Sequence, residues 1–319
     1  MSVSGSLKIK KKSDIFVCVP SYNHANYIEQ CLRSIISQTV SPRKLLVIDD
    51  GSKDDSAKIA ERVLTDCQFD SELIVRENRG LSRTLNQAFS LSDGKYFAYL
   101  GSDDIWLDGF LEERNKFLDE RPDAVLAYGH AYLINEAGNA FDSTINYTDT
   151  YAREMILFGG APISSTVVYR RSALDGVRWN DDARLEDYEM YLTLSSRGEF
   201  VFDPQILSAW RRHGTNTSSD NLMMLREILA AHERNTQSLG ANGDELEKIQ
   251  RRVRFQYARM ELQYGNKSSA LKLASESWRG ARSPAELIKF YLRMLVPMAL
   301  VEIRRRSRKE IPLKELRFE

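Results

Sequence analysis

Residues 14–104 repeat one pattern three times: DIFVCVPSYN (Asp14–Asn23), LLVIDDGS (Leu45–Ser52) and KYFAYLGSDD (Lys95–Asp104). Each is a short apolar run that ends abruptly in small, polar or acidic residues, and runs of that length bounded by turn residues read as buried strands. Strands are expected at Ile15–Val19, Leu45–Asp49 and Tyr96–Leu100, with a fourth at Glu72–Arg76. Between them, Ile28, Leu32, Ile35 and Ile36 recur at helical spacing within Tyr27–Gln38, and similar patterns cover Ala57–Leu64 and Leu81–Leu91. Strand alternating with helix predicts βαβ crossovers and a largely parallel sheet, an α/β fold.

Working outward, a helix over Leu111–Leu118 should stop at Arg121-Pro122, because the residue before proline is pushed out of helical geometry. A long strand, Ala124–Asn135, follows, then a helix near Tyr151–Phe158, a strand at Thr166–Arg170, a helix over Glu186–Arg197 and a strand at Ile206–Arg211. After Asp220 the chain turns to long helical patterns: Leu222–Ser238, Glu245–Tyr264 and Ala270–Trp278. The expected division is an α/β domain over residues 1–218 and an α-helical region over 219–319. Leu287–Ile303 is apolar but interrupted by Lys289, Arg293, Pro297 and Glu302, short of the roughly 20 apolar residues that span a bilayer. With the basic run Arg304–Lys309 behind it, it suits the inner face of the cytoplasmic membrane or a partner helix, including one from a second copy; charge alone allows a solvated helix end equally well.

Composition narrows the classes. The 319 residues are 42% hydrophobic and 28% charged, as in ordinary globular proteins. Lys plus Arg and Asp plus Glu are both 45, so no charge excess calls for nucleic acid. Cys18, Cys31 and Cys67 are scattered and odd in number, which favours a reducing compartment over a disulfide framework. Lys8 and Lys10–Lys12 have no apolar run and small-residue cleavage site behind them, so a cytoplasmic location is expected.

The chemistry sits at the strand ends. In open α/β sheets ligands bind outside the carboxyl ends of the strands, and Tyr22 after the first strand offers a flat face for a base. Pro20, Ser21 and Asn23 beside it also make an ordinary strand-to-helix turn. Asp50 can accept hydrogen bonds from a base or ribose, although Asp49–Ser52 alone reads more simply as a turn with a helix cap. Asp103 and Asp104 are costly side by side unless a cation sits between them, and hard carboxylate oxygens suit Mg²⁺ or Mn²⁺. Glu186-Asp187 opens a helix, where acids are favoured in any case. Arg211 can bind diphosphate oxygens and neutral His213 can join a metal shell, while a lone loop histidine is as often without a ligand role.

Pro-Ser-Tyr-Asn, Asp-Asp-Gly-Ser and Ser-Asp-Asp thus end successive strands of one sheet and point at one cleft. At this point, with ENRGLSRTLNQAF (Glu77–Phe89) and SDGKYFAYL (Ser92–Leu100), the sequence resembles the family-two inverting glycosyltransferases of GT-A fold over roughly its first two thirds. The resemblance implies a nucleotide-diphosphate sugar donor, UDP before dTDP, an Mn²⁺ or Mg²⁺ cofactor, and a glycan or polyprenyl-linked acceptor in bacterial surface-polysaccharide (O-antigen, capsule or LPS) synthesis. It implies Tyr22 stacked on the base, Asp50 accepting from it, and Pro20, Ser21, Asn23, Ser52, Asn78 and Arg83 around the nucleotide. Ser102 takes the first position of the acidic motif, Asp103 faces the ribose, Asp104 and His213 hold the metal, and Arg211 meets the diphosphate. Asp187 resembles the general base, with Glu186 supporting it. A catalytically dead nucleotide-sugar binder remains the alternative; a dehydrogenase would need G-x-G-x-x-G after the first strand, and a nucleotidyltransferase a basic, Gly-rich loop where PSYNHANY stands.

Overall fold

The structure is a computed structural model that describes residues 10–145, 152–214, 220–264, 266–297 and 310–315. The first four expected strands form where the apolar runs place them: β1 (Ile15–Ser21), β2 (Lys44–Asp49), β3 (Ser71–Val75) and β4 (Tyr96–Tyr99). β1 pairs in parallel with β2 and β4, and β2 with β3. The crossovers α1 (Ile28–Ile36), α2 (Ser56–Leu64) and α3 (Leu81–Leu91) cover the sheet. α1 buries Ile28, Cys31, Leu32 and Ile35, the stripe its 3.6-residue period supplies. All four strands run the same way, so their acidic ends share one edge.

The second half departs from the sequence reading in three places. Asp104 leads into β5 (Ile105–Trp106), a strand not among those expected, which pairs antiparallel with Ala209 and Ser208. After α4 (Phe110–Asp119), β6 (Ala124–Ile134) and β7 (Asn139–Ser143), the expected helix is α5 (Ala152–Leu157) and the next strand β8 (Val168–Arg170). Between the expected strand Ala124–Asn135 and that helix no strand was expected, yet Asn139–Ser143 forms one, and residues 146–150 lie outside the described residues. After α6 (Glu186–Leu194), the last long strand, β9 (Glu199–Arg211), begins well before Ile206. It runs parallel to β6, and the register jumps from Asp203↔Gly129 to Ile206↔His130. Pro204 falls in that jump, and proline is accommodated at such bulges because it has no N–H for the ladder.

The bulge also seats a buried ion pair. Arg114 of α4 is fully buried and its guanidinium meets Asp203. Gly129 makes room for it: a Cβ there would lie 2.2 Å from Arg114 Nη2. The sheet order is β10-β7-β6-β8-β4-β1-β2-β3, with β9 on β5 and β6; β10 (Ile311–Pro312) returns from the chain's end to pair with β7, which no sequence signal announced.

The C-terminal helices are α7 (Asn221–Arg234), α8 (Thr236–Leu239), α9 (Gly243–Tyr264), α10 (Lys267–Ser277) and α11 (Pro284–Met294). Leu225, Ile228, Val253 and Tyr257 join the same apolar cluster as Phe97, Tyr169 and Tyr191. α7 and α9 are thus packed on the α/β core through a shared interior. The far side of α9 builds a second cluster, Phe255, Ala258 and Leu262, with Ala270, Ala274 and Phe290. Among the described residues no helix is long and apolar enough to cross a membrane, and Arg304–Lys309 lie outside them.

Candidate active site

Beyond β1 the chain turns through Asn23, whose φ of 55° is left-handed, a conformation asparagine tolerates better than most residues. That turn is tied to the loop after β2: the Asn23 amide donates to Ser52 Oγ at 2.9 Å, and the Lys53 amide to Asn23 Oδ1 at 2.7 Å. Ser52 in turn donates to Asp49 at 2.6 Å. Tyr22 is left 46% exposed, and Ser21 beneath it is buried with no hydrogen-bond partner for its hydroxyl. Ser52 and Asn23 therefore brace the two loops, while Tyr22 stays open to solvent.

Asp50 is buried, accepting from the amides of Arg79 at 3.0 Å and Gly80 at 2.7 Å and pairing with Arg76 at 2.8 Å. Its carboxylate anchors the 76–80 loop. Gly51 beside it has φ 80°, and a Cβ there would meet the Asn78 amide nitrogen at 2.7 Å, so the loop can close only over a glycine. Asp50, expected to accept from a base, supports this loop. Asn78 is exposed on it, whereas Arg83 points elsewhere, to Asp181 at 3.1 Å.

A candidate cation site centres on Asp103. His24 Nδ1, Asp103 and His213 Nε2 offer ligand atoms that all lie within 4.8 Å of one another. His213 Nε2 is 2.9 Å from Asp103, His24 Nδ1 is 4.0 Å from it and 2.8 Å from Ser102 Oγ, and Tyr27 stacks on His213 with ring centroids 5.3 Å apart. Burial lowers the His24 pKa despite the pull of Asp103, which favours the neutral imidazole that binds a metal. For Asp103, burial is outweighed by the His213 hydrogen bond and the nearby His24, so its carboxyl stays below the usual range. Two imidazoles and one carboxylate fit a divalent transition ion such as Mn²⁺ better than Mg²⁺, which prefers all-oxygen shells.

Asp104, expected as the metal ligand, is outside this trio. It is buried and accepts from the Arg211 amide at 2.9 Å, and burial plus the adjacent Asp103 charge raise its pKa well above the ordinary value. Arg211, expected to clamp diphosphate, is also turned inward. Its guanidinium donates to the carbonyls of Asp103 at 2.7 Å, Asn135 at 3.0 Å and Glu136 at 2.9 Å and to Gln30 at 2.7 Å. Arg211 and Asp104 stitch β9 to the loop that carries Asp103.

His24 escaped the sequence reading although it stands next to the Pro-Ser-Tyr-Asn turn. The signal was an imidazole one residue beyond a strand-end motif.

Glu186 and Asp187 open α6. Burial pushes up both carboxyls, and the Asp187 charge raises Glu186 further, to about 8, while Asp187 lies at about 6. Asp187 accepts from the Tyr188 amide at 2.7 Å, which holds it the lower of the two. A tyrosine column connects this helix start to the end of β4: Tyr99 stacks on Tyr169 at 6.5 Å and Tyr169 on Tyr191 of α6 at 6.3 Å. The loop before β8 is tied to the same edge, since the Trp106 indole donates to the Ser165 carbonyl at 2.8 Å.

This sheet, with its acidic and histidine-bearing strand ends, is the frame of a GT-A type transferase. The chain belongs to glycosyl transferase family 2, whose sequence pattern matches residues 16–178, just over half of it. It is 28% identical to the chondroitin synthase of Escherichia coli over 232 residues, 70% of this chain and 32% of that protein. It is 25% identical to a Bacillus subtilis protein described as the putative teichuronic acid biosynthesis glycosyltransferase TuaG, over 65% of this chain and 82% of that one. Against the E. coli protein and an uncharacterized Rickettsia conorii glycosyltransferase, the chain spans about a third of their length. Among solved structures, a Pyrobaculum calidifontis mannosyltransferase in complex with GDP-Man and Mn²⁺ superposes with TM-score 0.59 at 16% identity, covering 89% of this chain and 87% of that one. TarS residues 1–349 of S. aureus with UDP-GlcNAc gives 0.56 at 18% identity, covering 92% of each. At these identities the superpositions establish a shared fold.

Proposed function

We propose that the protein transfers a sugar, with inversion, from a nucleotide-diphosphate donor to a hydroxyl of a glycan or polyprenyl-linked acceptor in bacterial polysaccharide synthesis. The observation that carries this reading is the His24–Asp103–His213 trio at the strand ends, on the same sheet edge as an open Tyr22. Tyr22 is the stacking platform for the base, with Ser21 and the 76–80 loop around it. His24, Asp103 and His213 would hold a divalent ion, which supplies positive charge where the departing diphosphate becomes negative. Arg211 and Asp104 keep that trio in place. Asp187 accepts the acceptor hydroxyl's proton, and Glu186, which keeps its own proton at neutral pH, leaves Asp187 the ionised member. The relatives named for bacterial polymers support the glycan acceptor, and the likeness to GDP- and UDP-sugar complexes supports a nucleotide donor. We favour UDP, with dTDP second.

Calorimetric titration of nucleoside diphosphates with Mn²⁺ tests the donor half. UDP should bind at least tenfold tighter with Mn²⁺ than without it. Binding unaffected by the metal, or strongest for a purine nucleotide, overturns the metal or the pyrimidine assignment respectively.

A further inference from the structure

α11 is apolar on two sides, and only one of them is covered. Phe290 is buried against Phe255, with Leu287 and Met294 packed beside it. On the other side Ile288, Leu292 and Leu295 are 59%, 60% and 78% exposed, with Tyr291 between them at helical i, i+3, i+4, i+7 spacing. A continuous exposed stripe of this kind marks a docking face, where scattered surface leucines would not.

On the flank of α11 that carries Lys289 and Arg293, between α9 and α11, lies a cavity of about 460 Å³ whose lining includes Arg252, Arg259, Arg282, Lys289 and Arg293 against a single acid, Glu286. Glu286 is already engaged by the Arg259 guanidinium and the Arg282 amide. Among the described residues no carboxylate pairs with the side chains of Arg282, Lys289 or Arg293. We propose that this face of α11, with its basic cavity, docks the protein on an anionic phospholipid surface, the cavity taking lipid phosphates while Ile288, Leu292 and Leu295 enter the acyl boundary.

Charge complementarity selects this occupant. A second copy joined by a two-fold axis would set the same cations against one another, since such an interface uses one patch on both partners. A soluble phosphate would satisfy the cations and leave the apolar stripe in water. Exposed leucines and isoleucine flanked by Lys and Arg are what an interfacial helix presents to a membrane. Arg252, which lines the cavity, also packs over the Phe158 ring at 4.1 Å. The proposal deepens the polyprenyl-linked reading but rests on the geometry of α9 and α11, so it can fail separately.

The test is sedimentation of the full chain with phosphatidylcholine vesicles containing one-quarter phosphatidylglycerol, alongside nucleotide calorimetry. The wild type should pellet with these vesicles and stay in solution with pure phosphatidylcholine. The Lys289→Gln, Arg293→Gln double variant should bind roughly twenty-five-fold more weakly, each surface cation contributing a factor of about five. Ile288→Ser with Leu292→Ser should lose binding as well, and both variants should bind nucleotide like the wild type. Equal pelleting of the double variant would move membrane binding to the Arg304–Lys309 run and overturn the cavity assignment. No pelleting of the wild type, together with a dimer that Leu292→Ser dissociates, would assign the face to a second copy. Absent nucleotide binding with intact vesicle binding would strike the donor reading and leave this one standing.

Discussion

Two pairs of neighbouring acids carry the candidate chemistry, and the fold treats them in opposite ways. At the end of β4 the pair is divided: Asp103 faces His213 and is held below the ordinary carboxylate range, while Asp104 faces the β9 backbone and is raised well above it. At the start of α6 both Glu186 and Asp187 are raised. The physical difference is the partner. Imidazoles compensate burial at Asp103, whereas Glu186 and Asp187 are compensated by backbone amides, so burial dominates there. The first arrangement suits a permanently ionised ligand, the second a base that gains and loses a proton near neutral pH.

The largest effect expected from this contrast is the asymmetry of the first pair. Asp103→Asn should weaken Mn²⁺-dependent nucleotide binding by roughly a hundredfold or more and lower transfer about a thousandfold, as loss of an electrostatic ligand does. Asp104→Asn still accepts from the Arg211 amide and should retain metal-dependent binding within about tenfold. Titration of both variants with Mn²⁺ decides it. If the Asp104 variant lost the metal and the Asp103 variant kept it, the division drawn here would be reversed.

A smaller effect should come from the second pair. Asp187→Asn should lower transfer by roughly a hundred- to ten-thousandfold, the range of a general base, with nucleotide binding unchanged. In the wild type, transfer should climb as pH rises through about 6, because only ionised Asp187 accepts a proton. A wild-type profile flat between pH 5 and 7 would remove Asp187 from the role.

How much of this was readable beforehand follows from which forces are local. The strand ends at Tyr22, Asp50 and Asp103 were legible because short apolar runs stop where the sheet stops. Which of Asp103 and Asp104 joins the histidines was not, because both lie in the turn between β4 and β5 and the choice is fixed by β9, about a hundred residues away. The inward turn of Arg211 depends on the same pairing. His24 reaches the trio only through the left-handed turn at Asn23, a backbone choice that composition does not announce. β7 was concealed by a short, mixed pattern, and β9 by Pro204 at its bulge.

The smallest expected effect is on stability. A carboxyl whose folded pKa lies above its unfolded value binds more protons folded than unfolded, so its contribution is fully present at low pH and is lost as pH rises through the folded value. For Glu186 that window runs from its ordinary 4.5 to about 8. Glu186→Gln removes this dependence while keeping shape and an N–H donor. Near pH 5 the protonated wild type and the variant should unfold within about 0.5 kcal/mol of each other; by pH 9 the variant should be the more stable by about 1 to 2 kcal/mol. That is less than the roughly 1.4 kcal/mol per pH unit of a fully shifted group, because the pair is only half-buried and solvent screens it. Chemical denaturation at the two pH values reads the difference directly. Each curve also carries every other titrating group, but these cancel between wild type and variant, so a gap that failed to widen with pH would mean that Glu186 ionises as an ordinary surface acid and that Asp187 has no protonated neighbour.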